Sequence, residues 1–218
     1  MQPSDLMPQP HDDLERRRAA ALDLAEALRQ ANSAAVSTEA TVEQLERAAL
    51  IVRDATAALG QSVRPLTRVS EFDGFPSSSR FFSPVSGPGS PLSPPLSIRA
   101  TAEGVEANRS FDRRFEGPPG LLHGGISALL FDELMGVAVL QAGHWAMTGQ
   151  LSLDYRRALP LDTDLTMTVA VTSVEGRKIR VGGSIVVSSE PDTVFVTATA
   201  LFIKPRESTL ERYFGQMV

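Results

Sequence analysis

The run EGPPGLLHGGISALLFDELMG at residues 116–136 sets His-Gly-Gly at the start of an apolar helical pattern and places two adjacent carboxylates, Asp132 and Glu133, inside it. A carboxylate is disfavoured in a helix interior and costly among apolar groups unless it is paired or put to use. One use is general-base attack through water; another is direct nucleophilic attack on an acyl carbon. Gly124 and Gly125 fall where the helix begins, so their backbone N–H groups lack intrahelical partners and the helix dipole there favours developing negative charge. Glycine also lets a carbonyl approach without a side chain in the way. Residues near Asp132 at helical spacing are Gly125, Ala128, Leu129, Gly136 and Val139, so partial burial of Asp132 is expected.

Composition narrows the possible partners. The chain has 218 residues, 42% hydrophobic and 22% charged, which is ordinary for a globular protein. A net charge of -5 offers no field for capturing nucleic acid or an anionic membrane. The absence of cysteine removes disulfides, thiol nucleophiles and thiolate-bound metals, and with it comes the expectation of a cytoplasmic protein. His11, His123 and His144 form no metal-ligand spacing, so no metal is expected. The amino terminus lacks the apolar core of a signal peptide, and no stretch approaches the roughly 18 apolar residues that a membrane span requires.

The elements that must position the acid and the glycines fall into three regions. After a tail at 1–10, residues 11–62 read as a helical hairpin: Leu14, Ala21, Leu24, Ala25 and Leu28 form one stripe, and Val42, Leu45, Ala49, Val52 and Leu59 a second. Ser37 or Thr38 offers a cap for the second helix, and Gly60 suits its end. The stripes are able to pack on each other, on the rest of the chain or on a twin copy. Residues 63–95 connect; within them 76–95 is rich in Pro, Ser and Gly, and Phe81, Phe82, Val85 and Leu92 predict an ordered extended segment laid across a surface. From 96 to 205 the pattern is strands around one helix: strands at 96–101 and 105–112, a helix at about 124–141, then strands at 146–156, 164–174, 177–187 and 193–203, followed by a tail at 206–218. Consecutive strands without intervening helices imply antiparallel pairing, and a helix apolar around most of its circumference must be buried. The fold class is α+β, an antiparallel sheet curled around a long central helix.

Four segments in order, EGPPGLLHGGISALLFDELMG, MTGQLSLDYRRALPL, VEGRK and ATALFIKP, resemble the hotdog-fold acyl-CoA thioesterases, in particular the PaaI-like branch with the thioesterase-superfamily-member proteins. The resemblance covers about 116–205 and leaves the helical hairpin outside it. It implies hydrolysis of an acyl-CoA to a free acid and coenzyme A, with Asp132 rather than Glu133 as the acid and no cofactor beyond the coenzyme carried by the substrate. It implies that Thr148, read as sharing a strand face with Gln150, Ser152 and Asp154, orients water or hydrogen-bonds Asp132. His123 is read as shaping the helix entry. For the coenzyme phosphates the resemblance points to Arg156, Arg177 and Lys178; where the family often has Asn near them this chain has Asp154. Leu121, Leu122, Leu129, Met135 and Trp145 are candidates for an apolar acyl pocket.

A length settles the expected assembly. Eight residues separate Gly124 from Asp132, about 12 Å along a helix axis, whereas an amide donor and a base must both lie about 3 Å from one thioester's reacting atoms. Two copies related by a two-fold axis meet that demand, with the glycine from one helix and Asp132 from the other. A homodimer or dimer of dimers is therefore expected. Two rival readings use the same scaffold: a protein that binds acyl-CoA without cleaving it, as a sensor or interaction module, and an enoyl-CoA hydratase, which usually pairs an Asp with a nearby His.

Overall fold

The computed structural model describes residues 10–73, 80–94 and 96–208. Most of the 1–10 tail, residues 76–79 and 95, and the tail from 209 onward lie outside the described residues. Among the described residues, three helices, α1 (Pro10–Ser37), α2 (Val42–Leu59) and α3 (Gly124–Gln141), accompany six strands. The strands are β1 (Ser97–Ala100), β2 (Val105–Arg109), β3 (Met147–Tyr155), β4 (Leu165–Glu175), β5 (Lys178–Val187) and β6 (Val194–Ile203). They form one sheet in the order β1-β2-β4-β5-β6-β3, with every neighbouring pair antiparallel. Two turns make the hairpins cheap. Thr101 closes the first through its side chain to the Gly104 N–H, and Gly176 takes φ +58 in the second, a region where a β-carbon is strained.

The last four strands and the helix follow their expected ranges within a few residues. β2 stops at Arg109, short of the expected 112, because Asp112 caps a 3-10 turn at Arg113–Phe115 that carries the chain off the sheet. α3 lies on one face of the sheet and buries Leu130, Phe131, Leu134, Met135, Ala138 and Val139 against β2–β6. Close approach needs Gly183 on β5, where a β-carbon would stand 3.0 Å from Phe131 Cε1 and 2.7 Å from Thr168 O. Despite the expectation that no stretch approaches a membrane span, α3 is long and apolar enough by length and composition, with mean hydropathy 1.3. The sheet takes up that apolarity on one side. The opposite stripe, with Gly125, Leu129 and Asp132, stays exposed, so a single copy does not bury the helix all round.

The amino-terminal region departs further from expectation. The two helices form, but they do not pack along their lengths, and no residue of α2 is buried. The α2 cap is Thr41, not Ser37 or Thr38: its side chain accepts from the Gln44 N–H while the Gln44 side chain accepts from the Thr41 N–H. α1 instead lies along the connecting segment. Arg18 donates to Phe72 O at 2.9 Å and sits 4.9 Å from the Phe81 ring centroid. The buried Arg29 guanidinium donates to Pro88 O and Ser90 O. The described residues 80–94 run as a chain of turns and not as the expected extended segment, closed by bonds such as Gly87 N–H to Ser83 O and Gly89 N–H to Phe81 O. Phe81 and Val85 anchor it in the interior, whereas Phe82 and Leu92 remain exposed.

Candidate active site

The start of α3 is set by His123, whose Nδ1 accepts from the Gly125 N–H at 3.0 Å. Its carbonyl accepts from Ile126 N–H at 2.9 Å. The histidine therefore shapes the helix entry, and the Gly125 amide is already occupied. Gly124 and Gly125 are thus not interchangeable: the Gly124 N–H makes no hydrogen bond among the described residues and is the available donor. Tyr155, at the end of β3, secures this tip by donating from its hydroxyl to Gly124 O at 2.8 Å. Its ring lies 3.3 Å from where a Gly124 β-carbon would stand, so only glycine fits there without displacement.

Two turns along α3, Asp132 accepts from the Thr148 hydroxyl at 2.7 Å. The pairing foreseen for Thr148 is present, but its face is different. A bulge between Thr148 and Gln150 shifts the β3–β6 register, so Thr148 pairs with the buried Phe202 and faces α3 together with Leu151, Leu153 and Tyr155. Gln150, Ser152 and Asp154 point to the other side of the sheet, opposite Leu201, Thr199 and Thr197. Asp154 is therefore parted from Thr148 by the sheet itself. The glycine inside this strand, Gly149, was the available signal for a bulge.

Asp132 is exposed in the single chain, not half-buried as expected, because no element among the described residues covers the stripe it shares with Leu129. Glu133 is committed elsewhere: its Oε1 accepts from the Ser83 hydroxyl at 2.9 Å and from the Ser86 hydroxyl, which ties the connecting segment to α3. Of the two adjacent acids, Asp132 alone is left facing open space.

The cations divide between the two ends of β3. Lys178 pairs with Ile203, which pairs with Met147, so the Arg177–Lys178 turn lies near the Asp132–Thr148 end. Arg177 Nε donates to Lys204 O at 2.8 Å, which brings Lys204 into the same group. Arg156 and Arg157 follow Tyr155 at the Gly124 end, both with backbone N–H groups on Phe195 O. Eight steps along β3, roughly 25 Å, separate the two groups within one chain. Of the proposed acyl-pocket residues, Leu122 and Met135 belong to the core, whereas Leu129 and Trp145 are exposed beside Asp132 and β3.

The antiparallel sheet wrapped on α3, with the acid–threonine pair at its side, is a hotdog-type architecture. A thioesterase superfamily profile matches residues 119–199. Acyl-coenzyme A thioesterase THEM4 of Xenopus laevis is 38% identical over 90 residues, 41% of this chain and 40% of that protein. Acyl-coenzyme A thioesterase THEM5 of Homo sapiens is 29% identical over 89 residues, 41% of this chain and 36% of that protein. A crystal structure of a thioesterase superfamily protein, 32% identical, covers 84% of this chain and 94% of that one with a TM-score of 0.74. The chain belongs to the thioesterase superfamily. It spans about two fifths of the length of the curated relatives it matches.

Proposed function

We propose that the protein is an acyl-CoA thioesterase, acting as a homodimer whose sites each take residues from both copies. The observation that carries this reading is the pair Thr148–Asp132 on an uncovered stripe of α3, with the free Gly124 amide at the far end of that stripe. In the reaction, the Gly124 N–H of one subunit holds the thioester carbonyl oxygen at a helix start, where negative charge is favoured. Asp132 of the other subunit takes a proton from water as that water attacks the carbonyl carbon, or attacks the carbon itself to give an anhydride that water then opens. The Thr148 hydroxyl holds one carboxylate oxygen and leaves the second for this step. The C–S bond breaks, coenzyme A leaves as its thiol and the acid is released. Water and protein groups suffice, and the setting is taken to be cytoplasmic.

The same pairing brings Arg177 and Lys178 of one subunit towards Arg156 of the other, a set suited to the coenzyme phosphates. β3 supports such a pairing because it is the edge strand nearest the uncovered stripe. The test is thiol release from a panel of acyl-CoAs. Asp132→Asn is expected to lose at least about a hundredfold in kcat while still binding coenzyme A; binding with no release by the native chain identifies a non-catalytic binder. Mixing Asp132→Asn with Gly124→Pro subunits is expected to restore activity, since one site per heterodimer is then whole. No recovery after demonstrated exchange refutes the shared site.

A further inference from the structure

An 18-residue helix gains most of its stability in a protein from packing, yet α2 has no buried residue. Its side chains Val42, Leu45, Ala49, Val52, Thr56 and Leu59 repeat with the alternating three–four spacing of a coiled-coil seam. Leu45, Val52 and Leu59 on that seam are 48%, 52% and 52% exposed. The seam faces an open cleft of about 590 Å³ whose other wall is the alanine stripe Ala31, Ala34 and Ala35 of α1. α1 is not free to swing onto the seam: Arg18 and Arg29 fasten it to the connecting segment, and Ser33 donates to Asp112 at 3.1 Å. Walls of alanine let another helix backbone come close.

The charges beside the seam specify the occupant. Glu46 and Arg53 are seven residues apart, on one flank and opposite in sign, while Ala48 and Ala55 line the other flank. A parallel twin would set Arg53 against alanine. An antiparallel twin sets Glu46 against Arg53 of the second copy, and the two-fold axis makes that pair twice. The same register, centred between Leu50 and Ile51, places Val42 over Leu59 of the second copy, Leu45 over its Thr56 and Ala49 over its Val52. We propose that α2 docks antiparallel against α2 of a second copy in the cleft beside α1, a self-association surface separate from the thioesterase sheet.

The test is the mass of the full chain by light scattering after size exclusion, over a range of concentrations. Leu45→Glu with Val52→Glu, both at exposed positions, is expected to halve the mass and leave the melting temperature of the sheet domain unchanged. Halving reads the α2 contact whether the native chain is four copies, with the sheet-side dimer also formed, or only two. Glu46→Arg or Arg53→Glu alone is expected to raise the dissociation constant roughly tenfold, and the two together to recover it. An unchanged mass in Leu45→Glu with Val52→Glu overturns the proposal, as it would if the chain's own termini or a lipid filled the cleft. A double reversal no better than either single one also overturns it.

Discussion

Thr148→Val tests the pair at the centre of the proposed site with little change of shape, since valine replaces the hydroxyl by a methyl group. The lost bond is 2.7 Å long and runs from a neutral donor to a carboxylate. Such bonds are worth about 1.5–3 kcal/mol. Hydrolysis requires water at Asp132 even in the assembled site, so solvent competes and the low end applies. If the bond is fully used only when water is being attacked, about 1.4 kcal/mol of transition-state stabilisation corresponds to about tenfold in rate. Thr148→Val is therefore expected to lower kcat/KM about tenfold with most of the loss in kcat, and Thr148→Ser to recover most of it. The assay is continuous thiol release with a chromogenic disulfide, at protein concentrations where the native oligomer is intact. Thr148 lies on an exposed edge strand, so the melting temperature should stay put. Activity within twofold of the native chain, or a Thr148→Ser variant no better than Thr148→Val, refutes the assigned role.

Glu133→Gln should keep most of the turnover that Asp132→Asn loses, because Glu133 faces Ser83 and Ser86; its effect should appear in thermal unfolding as a loss of about 1 kcal/mol. Equal loss of activity in both variants would argue against Asp132 as the distinct acid. Asp112 supplies a pH test. Burial opposes its ionisation, but the Arg114 side chain and N–H, helped by Ser33, outweigh burial and hold its pKa below the ordinary 3.8. A depressed folded-state value stabilises the fold above the unfolded pKa, and that stability is lost as pH falls through the folded one. Asp112→Asn should therefore narrow the gap in urea midpoint between the two proteins as pH drops below about 4; a constant gap across that window refutes the linkage.

The candidate site was legible where chemistry depends on local spacing. His-Gly-Gly before an apolar run marks a helix start, and an acid among apolar residues stands out whatever the fold. The His123 cap is a contact the residues suggested, and the Thr148–Asp132 bond is one that the family resemblance implied. Three features were not legible. The bulge at Gly149 reverses the strand's alternation; the glycine alone marks it, and strand periodicity reads through it because the extra residue shows only against β6. Tyr155 reaches Gly124 across 31 positions of sequence, a distance that no local pattern spans. Ser83 and Ser86 sit in a segment of turn-forming composition, where serine is expected on backbone grounds alone, so their hold on Glu133 was hidden.

The succession of strands along the chain, the apolar central helix and the turn glycines were determined by the sequence alone, because side-chain periodicity and φ preferences act over a few residues at a time; the sheet order that sets β3 beside β6 was not. Which of two adjacent acids faces outward and which face carries Asp154 were decided only by tertiary structure. So was the exposure of α2, a helix whose apolar seam predicts burial and finds no cover among the described residues. Each of these depends on contacts between segments far apart in sequence, and their geometry exists only once the sheet has closed on α3.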